Sequence, residues 1–402
     1  MTIPLAQRAL TPPHIFTLVM ATASSALAMN IFLPSLPAMA RHFDADYAVV
    51  QLAVALYLVA TAVLQLFIGP ASDRFGRRPV LLVCFVIFLV GSLAAVVAPT
   101  IEALLVCRVL QAFSAGGMVL ARAIIRDTVG PDEAASKIAY VAMGMTLVPM
   151  IGPVIGGVLD ELYGWQSTFI LTFVFGAVAF AIIWVDLGET NLRPSSSFFE
   201  QIRAYPELFK SERFWGYTLV AAFTSGTFFA FLGGGPYVAS EILGLSPSQY
   251  GFYFAFVSVG YMAGSFLSGR LSRRVGINRM MIYGNMTAAA GMTIPLVLLW
   301  FGTANALTLF VPVAFVGLGN GMTMPNAMAG IVSVRPHIAG SASGLGGSLQ
   351  IGGGAVLSVL AGALLGPETG PAPLLWVMIA SSSCAILAST YVINVASRKG
   401  DL

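Results

Sequence analysis

Stretches of about twenty mostly apolar residues, repeated along the whole chain, constrain this sequence more than any other feature. A helix needs roughly 20 such residues to cross the ~30 Å hydrocarbon core of a bilayer. Runs of that length lie near 14–36, 48–70, 79–98, 101–122, 136–160 and 166–186, and again near 214–237, 248–269, 278–301, 304–328, 338–364 and 373–395. Of the 402 residues 57% are hydrophobic and only 9% are charged. A water-soluble domain carries roughly 25% charged residues, because its surface must be covered. This chain therefore requires lipid as its solvent. The expected fold is all-α and integral to the membrane, with twelve transmembrane helices.

The first span, preceded by Arg8 and containing Ala26-Leu27-Ala28, has the outline of a secretory signal peptide. It runs on directly into Asn30–Pro37, and its removal would leave an odd number of spans, so we read it as a retained helix. Segment 187–213 breaks the apolar pattern with Glu189, Arg193, Glu200, Arg203, Glu207, Lys210, Glu212 and Arg213, and with the turn-forming run Pro194-Ser195-Ser196-Ser197. It divides the chain into residues 1–190, an N-terminal six-helix half, 191–213, a linker, and 214–402, a C-terminal six-helix half.

With the N-terminus inside, all Lys and Arg except Arg41 and Arg108 fall on the cytoplasmic side, including Arg74, Arg77 and Arg78, Arg270, Arg273 and Arg274, Arg335, Arg398 and Lys399. That bias is the one by which insertion sets topology. It places both termini and the linker in the cytoplasm, and a bacterial inner membrane is the expected location. The net charge of +3 is small and the basic residues form no arm, so no nucleic-acid partner is expected. Cys84, Cys107 and Cys384 are scattered within apolar stretches, and His14, His42 and His337 sit at span ends. This is neither a metal-ligand spacing nor a disulfide framework. No Walker loop is present, so ATP is not the energy source, and no cofactor is expected. The sequence contains no Ser-His-Asp or Cys-His arrangement, and an enzyme is not expected.

The halves repeat a motif. The second span ends in Gly69-Pro70-Ala71-Ser72-Asp73-Arg74-Phe75-Gly76-Arg77-Arg78, and the eighth in Gly269-Arg270-Leu271-Ser272-Arg273-Arg274-Val275-Gly276-Ile277-Asn278. Gly, Ser, Arg and Gly coincide in register. Parallel six-helix repeats characterise transporters whose halves rock about a central site.

On these residues the chain resembles the major facilitator superfamily, and within it the Bcr/CflA-type drug-resistance exporters. Gly69–Arg78 matches the superfamily signature G-x-x-x-D-R-x-G-R-R. Leu52–Tyr57 with Gln65 and Gly69-Pro70 looks like the second helix of that subfamily. Arg108-Val109-Leu110-Gln111 matches the R-x-x-Q core associated with proton coupling, and Pro149–Gly157 looks like the antiporter signature. The resemblance implies secondary active efflux of small lipophilic compounds, driven by proton antiport through alternating access. It departs from the family pattern at Asn30, where subfamily members commonly carry an acid, at Ala112, and at Arg273 opposite Asp73. Asn30 leaves open a metabolite exporter or an uncoupled facilitator.

Arg108 within a span costs at least ~2.5–3.5 kcal/mol on insertion scales, so it must face a cavity or a partner. Gln111 shares its helix face. Asn30, Tyr57, Arg108, Gln111, Asn320, Asn326 and Gln350 are the expected substrate and proton pathway, with Gln65, Phe113, Phe223 and Phe228 as further lining. A proton antiporter needs a titrating group, for which Glu102 and Asp160 are the candidates. Gly69, Asp73, Arg74, Gly76, Arg77 and Arg78 are expected to form a conformational latch, joined by Arg126-Asp127. Pro149, Gly152, Pro153, Gly156 and Gly157 bend the fifth helix and pack it closely, and Gly340–Gly354 has the same small-residue character. The expected partners are a small lipophilic substrate, protons and the lipid bilayer, and the protein is expected to act as a monomer.

Overall fold

The computed structural model describes residues 12–191, 205–303, 305–335, 338–366 and 368–398. Arg8, the polar stretch from Arg193 to Arg203, His337 and Lys399 lie outside them. The architecture is all-helical. Among the described residues eleven helices are long and apolar enough to cross a membrane: α1 (Ile15–Phe43), α2 (Tyr47–Phe75), α3 (Arg77–Val96), α4 (Ile101–Thr128), α6 (Gln166–Asp186), α7 (Glu212–Ile242), α8 (Pro247–Val275), α9 (Ile277–Trp300), α10 (Ala306–Ser333), α11 (Ala339–Leu364) and α12 (Ala372–Arg398). Between α4 and α6 runs α5 (Pro131–Tyr163), a 33-residue helix holding Pro149 and Pro153 in its interior. Each expected span is matched by a helix. A short helix, Tyr205–Phe209, precedes α7.

Local chemistry places the ends. Ser246 caps α8 in a capping box with Gln249, and Pro247 occupies the first turn, where its missing N–H costs nothing. Thr100 caps α4 by accepting from the Ala103 N–H. The repeated motif is built alike in both halves. The backbone turns out of the helix at Gly76 (φ +97°) and at Gly276 (φ +86°), and their N–H groups donate to the Ser72 and Ser272 carbonyls. Only glycine takes that conformation without strain. The helices consequently run past the ends of the apolar stretches. α2 continues to Phe75 with Pro70 inside it, so Gly69 and Asp73 lie in its last turns and the connection to α3 is Gly76 alone.

The helices place the α2–α3 and α8–α9 connections at the end of the bundle that also bears Pro12 and Arg398, here called the terminal face. The α1–α2 and α7–α8 connections lie at the opposite face. Across the halves α2 lies along α11, and α5 along α8. One hydrophobic core crosses between the halves near the opposite face, joining Phe32, Leu36 and Phe169 to Phe231, Tyr250, Phe254 and Phe310. Towards the terminal face there are two cores, one centred on Leu81, Phe85 and Leu120 and one on Phe214, Tyr217 and Ile331. The halves therefore pack as one body near the opposite face and separately near the terminal face.

Candidate functional site

Arg108 sits in α4 with 0% of its surface exposed. Its Nε donates to the Ala53 carbonyl of α2 (3.0 Å) and its Nη1 to the Ala28 carbonyl of α1 (2.9 Å) and to Gln111 Oε1. The Phe32 and Tyr57 rings cover the guanidinium, with centroids 4.0 and 4.5 Å from Cζ. Charge in so dry a site is stabilised by carbonyl dipoles and ring quadrupoles, each of which strengthens as water is excluded. Nη2 has no partner among the described residues. The network continues through Gln111 Nε2 to Ser92 Oγ of α3 (3.0 Å). Tyr57 Oη donates to the Ser25 carbonyl (3.0 Å) and lies 3.0 Å from Ser114 Oγ. Arg108, Gln111 and Tyr57 thus tie α1, α2, α3 and α4 together.

Asn30 is fully buried in α1. Its Nδ2 donates to the Ala26 carbonyl (2.7 Å), and its Oδ1 has no partner among the described residues. Glu102 is exposed in the first turn of α4, at the opposite face. Asp160 is buried near the same face in the last turn of α5. Neither is hydrogen-bonded to the Arg108 network.

In the second half Asn326 donates to Ser268 Oγ (2.9 Å) and the Met322 carbonyl, fastening α10 to α8. Asn320 is buried with an unpartnered Oδ1, and Gln350 Nε2 donates to Ser225 Oγ (2.8 Å). A further buried amide, Asn285 of α9, was not expected. It accepts from Thr224 Oγ1 (2.9 Å) and donates to Thr323 Oγ1 (3.4 Å), linking α7, α9 and α10. An amide in mid-span was the available signal, since lipid offers it no partner.

At the terminal face Arg77 pairs with Asp73 and donates from Nε to Asp127 Oδ2 (2.8 Å). Two residues after α6 complete this cluster. Glu189 accepts from the Arg77 and Arg78 N–H groups (2.9 and 3.2 Å), and Asn191 Nδ2 donates to the Asp73 carbonyl (2.8 Å). A carboxylate at the start of α3 and an amide donor at the end of α2 satisfy the backbone groups that a helix end leaves free. Arg74 and Arg78 reach other surfaces: Arg74 lies over Phe75, and Arg78 over Trp184.

The opposite face is closed. Tyr47 Oη donates to the Gly233 carbonyl (2.8 Å), and the Tyr47 and Tyr237 rings lie 4.8 Å apart. Gln51, fully buried, donates to the Ser358 carbonyl and to Ser358 Oγ (3.1 Å). It occupies a notch where a side chain on Gly233 or Gly362 would collide with it. Arg41 and Glu241 pair at 3.0 Å but are 64% and 44% exposed. On α5, Gly156 abuts the Ile31 carbonyl of α1. Gly157 abuts Pro247 of α8, and Gly251 of α8 abuts Pro153 of α5. Gly152 keeps ordinary contact distance from Leu27 and Ile31. Towards the terminal face, Gly340 and Gly344 of α11 and Gly269 of α8 look into open space.

This closure carries a prediction. Gln51→Ala removes two hydrogen bonds, each worth ~0.7 kcal/mol net, and should shift the equilibrium towards opening by about tenfold. A cysteine at Ala239, buried beside the closure, in a background without the native cysteines should then react about tenfold faster with a membrane-impermeant maleimide. Arg41→Ala should change that rate little, because exposed ion pairs contribute ~0–1 kcal/mol. Equal labelling of the Gln51→Ala and unaltered proteins would dismiss Gln51 as part of the closure.

The profile described as Major Facilitator Superfamily matches residues 18–358 and 234–399. The chain belongs to this superfamily. Superfamily relatives extend over nearly its whole length. It is 31% identical to Multidrug resistance protein D of Escherichia coli (strain K12), over 88% of this chain and 89% of that protein. It is 29% identical to the bicyclomycin resistance protein homolog of Haemophilus influenzae, over 90% and 91%. Among solved structures, a bacterial homolog of the human lysosomal transporter Spinster shares the superfamily fold at a TM-score of 0.71, with 17% identity over 96% of each chain.

Proposed function

We propose that the protein exports small lipophilic compounds, antimicrobial agents among them, by alternating access driven by inward proton movement. The observation that carries this reading is the similarity, over about nine-tenths of both chains, to relatives named for resistance to bicyclomycin and to multiple drugs. The closed opposite face and the separate cores near the terminal face are what one end state of such a cycle requires. The terminal face carries the basic connections and is assigned to the cytoplasm of a bacterial inner-membrane protein acting as a monomer. The structure then faces inward. Arg108 with Gln111 is the proposed coupling centre, Asp73 with Arg77 the latch that opens and re-forms, and Gly156 and Gly157 the contacts that hold α5 against α1 and α8.

Asn30 favours a second reading. An amide cannot titrate, and its nitrogen is committed to the Ala26 carbonyl, so the protein could act as a facilitator without coupling. Proteoliposomes with an imposed pH gradient and a panel of lipophilic antibiotics separate the two. Export predicts accumulation against the gradient that collapses with a protonophore, and Asn30→Asp that stays active or depends more steeply on the pH gradient. Downhill flux indifferent to pH would establish the facilitator, and absence of flux for the whole panel would refute drug export.

A further inference from the structure

The bilayer-depth interior holds almost no charge. Every acid among the described residues lies in a connection or within the first or last four residues of its helix. Glu200 and Asp401 lie outside the described residues. Among the described basic residues Arg108 alone is fully buried, sealed beneath Phe32 and Tyr57. A permanent cation entering between the halves would leave water without meeting a carboxylate, and burying an unpaired charge costs several kcal/mol.

Between α2 and α11 the Ser348 hydroxyl donates to the Ala62 carbonyl, and beside this bond stand two side-chain amides. The lipid face of α2 is marked by Val59, Val63 and Phe67, all exposed. Gln65 projects to the other side, with Oε1 3.4 Å from the point where a side chain would begin on Gly347 of α11. Its Nε2 lies 3.6 Å from Met118 Sδ. One turn along α11, Gln350 donates to Ser225 Oγ, which in turn donates to Met324 Sδ (3.5 Å). Each half thus contributes a half-buried glutamine whose nitrogen is held from its own half. Neither amide oxygen has a hydrogen-bond donor among the described residues. Two carbonyl acceptors flanked by polarizable thioethers remain at the seam, and thioethers accommodate varied apolar shapes.

We propose that Gln65 and Gln350 form a two-sided clamp for neutral lipophilic molecules that carry O–H or N–H donors, and that the site rejects permanent cations. The clamp rests on the transport reading above and specifies its cargo. A ligand bonded to both amides bridges the halves, so its affinity changes as they move apart. Such differential affinity is what couples a ligand to a conformational equilibrium.

The test is equilibrium binding to the purified full-length protein in nanodiscs, with no gradient, using chloramphenicol as the neutral donor-bearing probe and tetraphenylphosphonium as the cation. Chloramphenicol should bind saturably, and Gln65→Leu or Gln350→Leu should each weaken it about tenfold. Tetraphenylphosphonium should show no saturable binding. The near-isosteric Gln350→Glu should acquire it, which separates a changed site from a misfolded protein; thermal unfolding of each variant is recorded alongside. Tetraphenylphosphonium binding as tight as chloramphenicol, unchanged chloramphenicol affinity in both leucine variants, or no chloramphenicol binding by the unaltered protein each overturns the clamp. Because no transport is measured, a protein that binds as stated but does not pump refutes export and leaves the clamp standing.

Discussion

Arg108→Ala should abolish energised transport and lower stability by about 2–5 kcal/mol, the range seen when a large buried side chain is truncated and leaves a cavity. The side chain donates to two helix carbonyls and an amide and fills the space between the Phe32 and Tyr57 rings. Truncation removes those bonds and leaves a cavity at the meeting of α1, α2 and α4. Arg108→Lys keeps the charge but cannot donate to Ala53 and Ala28 through a planar fork, so it should retain folding better than alanine while still losing most transport. Thermal unfolding in detergent and uptake into everted vesicles measure the two effects. Full activity of Arg108→Ala would remove both the structural and the coupling role.

Gly317→Val should be as damaging without touching the Arg108 network. Gly317 and Gly321 of α10 press on the Val257 and Tyr261 carbonyls of α8, while Gly260 and Gly264 of α8 press on the Ala314 and Leu318 carbonyls of α10. The backbones are in direct contact over two turns, the geometry that small residues permit between helices in lipid. Overpacking a side-chain core costs about 1–3 kcal/mol. Here the obstructing atoms are backbone, which cannot change rotamer, so the loss should reach or exceed the top of that range and the folded yield should collapse. Gly340→Ala and Gly344→Ala, which meet open space, should leave thermal unfolding unchanged or raised by up to ~1 kcal/mol, as expected for alanine over glycine in a helix. Equal tolerance at Gly317 and Gly344 would contradict the packing described here.

The glycines show where reading along the chain stops. Those of the fifth helix stood out beside two prolines and matched a known signature. Gly317 and Gly260 did not, because a glycine in an apolar span looks the same whether it meets lipid, a cavity or another backbone. Gln51 gave even less signal. It stands at the start of an apolar run, and its partner Ser358 is 307 positions away. The helices α2 and α8 outrun their apolar stretches for a different reason. An apolar pattern marks where hydrocarbon ends, whereas the helix ends where Gly76 and Gly276 turn the backbone.

Helix number, the two-half repeat and the superfamily all follow from the sequence alone, because each rests on local composition or on a motif that needs no partner. Arg108 was legible as a residue that lipid could not tolerate unaided. That its partners are two carbonyls, an amide and two aromatic rings was decided by the tertiary structure. So was the closure of one face around Gln51, and so was the meeting of Gln65 with Gly347. Periodicity specifies which face of a helix is buried, and only packing specifies what that face is buried against.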